Sequence, residues 1–150
     1  MVNARIERFS GTYRFLSNFF IVPGGLEYEG RRYPTLEHAF AAAKSLDPVV
    51  REAIAALSGA SQAKRAGRAI SLRPDWEAVK LAVMADLLAR KFSCETLARA
   101  LTETGETELV EGNNWGDIFW GVCDGRGENH LGRLLMELRA RLIAGRPAVG

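Results

Sequence analysis

Cysteine and histidine are scarce in this chain, with two of each in 150 residues. Cys94 and Cys123 cannot make a disulfide framework, and a reducing cytoplasm is the simplest setting for such usage. Cys94 falls in a helical pattern and reads as a small core residue. A buried inert thiol is also the better reading of Cys123. His38 and His130 lie in different segments, and no CxxC, HxxxH or HExxH spacing occurs, so a metal site has little support. No apolar run approaches the roughly 20 residues that span a bilayer. The opening MVNARIERFSGTYRF lacks the apolar stretch of a secretory signal. Charge of one sign is missing too: twenty Lys and Arg against eighteen Asp and Glu leave a formal +2. That balance does not by itself argue for a nucleic-acid partner. There is no repeat, no low-complexity tract, no linker and no GxSxG elbow.

What is present is an ordinary globular composition, 47% hydrophobic and 25% charged. The length suits one domain over 1–150, with the tail 145–150 expected to fray. Phe15–Val22 reads as β-like, broken by Pro23-Gly24-Gly25, and LEYEGRRY reads as a small hairpin around Gly30. Thr35 is a natural N-cap for a helix from Leu36 to about Leu46, and Asp47-Pro48 opens another to about Leu57. Ser61 caps a short helix. A long helix runs from Trp76 to about Phe92, and Ser93 caps one to about Thr102. Glu108–Glu111 and Phe119–Val122 suggest short strands joined by an Asn-rich connection. Asn129 caps a last helix with Leu131, Leu134, Leu135, Leu138 and Leu142 as its apolar stripe. The fold class is α+β, mostly α-helical.

Few residues stand out as chemistry. Glu37 and His38 sit in the first turn of an alanine-rich helix, where a carboxylate suits the helix dipole whether or not it does anything else. Lys64, Arg65 and Arg68 cluster on a short helix, and a solvated face is the usual reason for such a cluster. The turn Gly125–Gly132 offers amides to an anion at a helix start but fits neither the Walker nor the dinucleotide pattern, and an ordinary loop is the favoured reading. Trp115 and Trp120 flank Asp117 in NNWGDIFWG, while Phe15, Phe19 and Phe20 surround Asn18. Large rings in irregular segments either join the core or wall a ligand, and polar groups set among them need partners.

The stretches FLSNFF (15–20), YPTLEHAFAAAK (33–44), AKRAGR (63–68), LRPDWEAVK (72–80), LLARKF (87–92), LTETGETELVEGNNWGDIFWGV (101–122) and GENHLGRLLMELR (127–139) together resemble the YbiA-like, or NADAR, family. They keep their order and cover nearly the whole chain. The departures are modest: Ala41 to Ala43 is simpler than the usual sequence after EHAF. The resemblance implies an N-glycosidase of mostly helical α+β fold that splits the bond between a ribose and a base-like amine. Two substrate classes come with it: phosphorylated early intermediates of riboflavin biosynthesis, and ADP-ribose on guanine, including guanine within nucleic acid. It implies neither a metal nor any other cofactor.

Breaking a ribosyl C–N bond builds positive charge on the sugar and negative charge on the departing base. A carboxylate near the anomeric carbon, a positioned water and a donor to the leaving group are needed. The EHAF match makes Glu37 the expected carboxylate. Asp117 is the expected partner of the base, as a donor if protonated or a holder of base or hydroxyl if ionised. Trp115 and Trp120 are expected to stack or wall the site, and Asn18 and Phe19 to meet ribose or base. Lys44, two turns on from Glu37, joins Lys64, Arg65 and Arg68 as expected phosphate ligands. Trp76, Lys80 and Asn129 complete the expected binding set, and His38 supports. The competing reading is a module that binds ADP-ribose or a nucleotide without cutting it.

Overall fold

The computed structural model describes residues 4–145. The expected fraying of 145–150 falls, apart from Gly145, outside the described residues. The chain is mainly helical with short strands, an α+β protein as expected. Contacts group into two units, 18–91 and a second formed by residues up to 17 together with 92 onward.

In the unit 18–91, β2 (Ile21–Tyr28) and β3 (Arg31–Thr35) pair antiparallel. Glu29 and Gly30 take positive φ, 48° and 82°, at their turn, as a tight twisted hairpin requires. Pro23-Gly24-Gly25 does not break the chain here, against expectation. The register jumps between Ile21 and Leu26, so these residues bulge from one continuous strand. Arg32 Nη1 donates to Gly24 O at 2.8 Å and pins the bulge. The strand expected over Phe15–Val22 starts only at Ile21, because Gly11–Leu16 is a 3-10 helix.

Helix α1 (Leu36–Ala43) is buried at every position. A helix without a polar face belongs in the middle of a packed body, and α1 packs on α2 (Pro48–Ala55), α3 (Ala60–Ala69), α4 (Trp76–Lys91) and both strands. Small side chains permit this. A Cβ on Gly67 of α3 would lie 3.0 Å from Ala41 Cβ, so a side chain there would push the two helices slightly apart. Thr35 caps α1 as expected, its Oγ1 accepting from His38 N at 3.1 Å. Asp47 caps α2 through Val49 N at 2.9 Å. The cap of α3 falls at Gly59 rather than Ser61, because Gln62 Oε1 reaches back to accept from Gly59 N at 2.8 Å.

In the other unit, β1 (Arg5–Ile6) lies parallel to β4 (Glu108–Leu109), and β5 (Gly112–Asn113) lies parallel to β6 (Val122–Cys123). The expected strands Glu108–Glu111 and Phe119–Val122 are thus shorter and shifted. Helix α5 (Glu95–Glu103) begins after Cys94, one residue beyond the expected Ser93 cap. It packs on α6 (His130–Ala144), and α6 packs on β4. Of the expected stripe on α6, Leu131, Leu135 and Leu138 are buried, and Leu134 and Leu142 partly so. A Cβ on Gly132 would sit 2.1 Å from Leu109 O, so α6 rests directly on the strand backbone.

Candidate active site

In the unit 18–91 the expected residues converge around α1. Glu37 is buried in the first turn, and its backbone N–H donates to Asn18 O at 3.0 Å, which ties the aromatic segment 18–20 to the helix start. Lys44 ends the same helix. Burial chiefly pulls its ammonium below the ordinary lysine range; Glu37 pulls it back up, and Arg68 and Lys64 lower it further. Glu37, Arg68 and Lys64 are therefore each near enough to act on the Lys44 ammonium, one anion and two further cations around it. Such an excess in a partly dry place favours an anionic ligand.

Aromatic rings frame these charges. Lys44 Nζ lies 5.4 Å from the Phe40 ring centre, and Lys64 Nζ lies 5.7 Å from that of Phe19. Phe40 in turn packs on Trp76 with ring centres 5.1 Å apart. Trp76 is only 5% exposed, so in this structure it buttresses Phe40 from the core side. Lys80 is ion-paired to Glu77 at 2.7 Å. Arg65 does not join Lys44. It lines a shallow groove with Leu57, Ser58 and Gln62, one helical turn before Arg68 on α3. Asn18 Nδ2 points to Met84 Sδ at 3.8 Å, and Asn18 Oδ1 is buried without a hydrogen-bond partner among the described residues.

His38 is fully enclosed, with Nδ1 2.7 Å from Thr35 Oγ1 and Nε2 3.0 Å from Leu57 O. It joins the cap of α1 to the end of α2, the supporting role that its place in the helix suggests. Lys91 was not singled out in the sequence. It is wholly buried at the end of α4, 5.6 Å from the Phe20 ring centre, and burial lowers its pKa to about 7.

The other unit carries Asp117, Trp115, Trp120 and Asn129. Asp117 Oδ1 accepts from Trp120 N at 2.9 Å and Phe119 N at 3.2 Å. Trp115 is 57% exposed, while Trp120 is half-buried and meets Phe119 edge-on at 4.8 Å. Asn129 stands at the N-cap position of α6 but does not cap it. Its Oδ1 accepts from Glu111 N and its Nδ2 donates to Leu109 O, each at 2.9 Å, with the backbone left-handed at φ 53°. The amides that would greet an anion at this helix start are already used: Glu128, His130 and Leu131 donate to the carbonyls of Ile118, Phe119 and Trp120. These amides are therefore bonded within the protein rather than open to an anion. In the sequence Asn113 is one residue of an Asn-rich connection, yet in the structure it organises the whole stretch. Its position beside a second asparagine hid which of the pair would turn inward.

Comparison with known proteins bears on this arrangement. The NADAR domain model matches residues 7–143. The N-glycosidase YbiA of Escherichia coli is 42% identical over 137 residues, 89% of this chain and 84% of that protein. An N-glycosidase of Nostoc punctiforme is 34% identical over 137 residues, 87% of this chain and 86% of that one. A riboflavin biosynthesis protein of Vibrio vulnificus is 38% identical over 132 residues, 85% of this chain but 35% of that longer protein. The solution structure of E. coli YbiA matches with a TM-score of 0.81 at 38% identity, covering 96% of this chain and 88% of that one.

Proposed function

The chain belongs to the NADAR family, and from that premise we propose that this N-glycosidase hydrolyses the C–N bond between a phosphorylated ribosyl group and a base-like amine, with Glu37 as its working carboxylate. The observation that carries the reading is the part-buried Lys44 at the end of α1, set against the Phe40 ring and close enough for Glu37, Arg68 and Lys64 to act on it. A sugar bearing phosphate needs cations at one end and an anion near the carbon that becomes cationic at the other.

The proposed reaction balances with water alone. The C–N electron pair leaves with the base as the sugar takes on oxocarbenium character beside the Glu37 carboxylate. A water oriented by Glu37 adds its oxygen to the anomeric carbon and gives up a proton to the carboxylate. The amine takes a proton from solvent as it departs and Glu37 returns its proton to solvent, so one water is consumed overall. Asp117 is the proposed partner of the departing base. With Oδ1 held by two amides, Oδ2 is the oxygen left for that work. Trp115 and Trp120 are proposed to stack on the base. Asn18, whose amide oxygen lacks a protein partner, is proposed to meet the ribose. Lys44, Lys64 and Arg68 are proposed to hold the phosphate.

Two substrates fit this chemistry: a phosphorylated riboflavin intermediate, split to ribose 5-phosphate and a pyrimidine, and ADP-ribosyl guanine. The relative involved in riboflavin biosynthesis supports the first. A cytoplasmic setting is proposed from the two free cysteines. No described helix is long and apolar enough to cross a membrane.

The test offers wild type and E37Q both substrates and follows free sugar. Release by wild type with retained binding but lost turnover in E37Q supports the reading. Tight binding without release by wild type would make the protein a nucleotide-binding module instead.

A further inference from the structure

We propose that Asn113 is the positioning residue of the Asp117 loop, holding the Asp117 carboxylate and the Trp115 indole in the posture that a base-like leaving group requires. This rests on the role proposed above for Asp117. Asn113 is 8% exposed and lies on β5, whose parallel pairing with β6 closes the loop 114–121 at its base. Its side chain does the remaining work. Oδ1 accepts from Asp117 N at 3.0 Å and Trp115 N at 3.3 Å. Nδ2 donates to Asp117 O at 2.8 Å and Val122 O at 3.3 Å. Backbone donors on one side and carbonyls on the other leave a single orientation of the amide, and only an amide of this length supplies both.

The consequence runs outward from there. With its own N–H and C=O both gripped by Asn113, Asp117 cannot rotate about its backbone, and its Oδ1 then collects the amides of Phe119 and Trp120. Gly121 is packed so closely that a Cβ would lie 2.2 Å from Glu111 O and 2.8 Å from Asn113 Nδ2. The loop therefore has one shape, even though its tip exposes Trp115 and Ile118, each 57% accessible. Exposed apolar side chains on a loop stiffened from within form a platform prepared before its ligand arrives, which lowers the entropy lost on binding. Asn113 touches no substrate in this scheme; it acts through Asp117.

The experiment compares N113A, D117N and the double variant, with N113D alongside in case N113A does not fold. N113D keeps the acceptor for the two amides but turns a second oxygen toward the carbonyls of Asp117 and Val122. Each variant is assayed where its circular dichroism shows it fully folded, on whichever of the two substrates wild type cleaves. Amide hydrogen exchange is read in the same samples. With N113A, kcat is expected to fall about tenfold or more while KM moves by less than about threefold, as misplacement rather than lost contact predicts. The double variant is expected to be no slower than D117N. The amides of Asp117, Phe119 and Trp120 are expected to exchange about tenfold faster, with those of α5 unchanged. Full kcat per folded N113A molecule beside an impaired D117N overturns the proposal. So do losses that multiply in the double variant, or unchanged exchange in the loop. If D117N keeps full activity, or wild type cleaves neither substrate, the catalytic reading fails separately. The exchange data then decide by themselves whether Asn113 sets the loop.

Discussion

The surroundings of Glu37 and of Asp117 place a carboxylate by opposite means. Around Glu37, helices do it. A capped, fully buried α1 fixes the backbone, and side chains from α1 and α3 bring charge together across the gap that Gly67 allows. Around Asp117, almost no regular structure exists, and one buried amide substitutes for it. The first arrangement tolerates changes in distant side chains as long as the helices pack. The second depends on a few hydrogen bonds and fails when one residue is altered. A carboxylate amid cations has its charge balanced by side chains, whereas one capping backbone amides has its direction set by the chain itself.

The largest expected effect falls on chemistry. E37Q should lower kcat by about 100-fold or more, since a charge facing the sugar cation is lost while size is kept. D117N should cost about tenfold to 100-fold, because its role is confined to the leaving base and an amide oxygen still accepts from Phe119 and Trp120. Steady-state rates on one substrate rank the two, and the reverse order would exchange the proposed roles.

Lys91 separates burial from catalysis within the helical unit. Its folded pKa of about 7 lies below the ordinary 10.5. Between these values the unfolded chain holds a proton that the folded chain does not, so Lys91 makes stability rise with pH across roughly 7 to 10.5. Below that window both forms are protonated and the cost is constant. K91M should stabilise the protein by about 1–3 kcal/mol at pH 7 and flatten that rise. Urea melts at several pH values measure both, and a slope unchanged in K91M would refute the assignment.

The smallest effect tests the neighbours on α3. R68A should raise KM for a phosphorylated substrate about tenfold with kcat little changed, as a lost charge-assisted contact would. R65A, on the groove side, should shift KM by less than about twofold. Equal effects from the two would mean that helix position does not sort these cations.

Much of the Glu37 region was legible because it follows local rules. Thr35 before a helix, Glu37 in its first turn and Lys44 two turns on can be read from spacing, and the structure brings Glu37, Lys44 and Arg68 within electrostatic reach. Arg65 and Arg68 look alike in the sequence, and only the docked helix sets Arg65 on the groove with Leu57 and Gln62. Trp76 was expected at a pocket and packs on Phe40 instead, a choice between faces that depends on what lies opposite. In the other unit the caps misled: Asn129 looked like a helix cap and holds β4 and Glu111, while Asn113 showed no signal that set it apart from Asn114.

By itself, the sequence determined the helices, the caps at Thr35 and Asp47, the mainly α class and the family, because caps and apolar periodicity act over a few residues and family motifs keep their order along the chain. Only the tertiary structure decided which charges act on Lys44, that Lys91 is buried, and that one asparagine shapes the Asp117 loop. Burial and long-range hydrogen bonds depend on what packs opposite a residue, and no spacing along the chain records that.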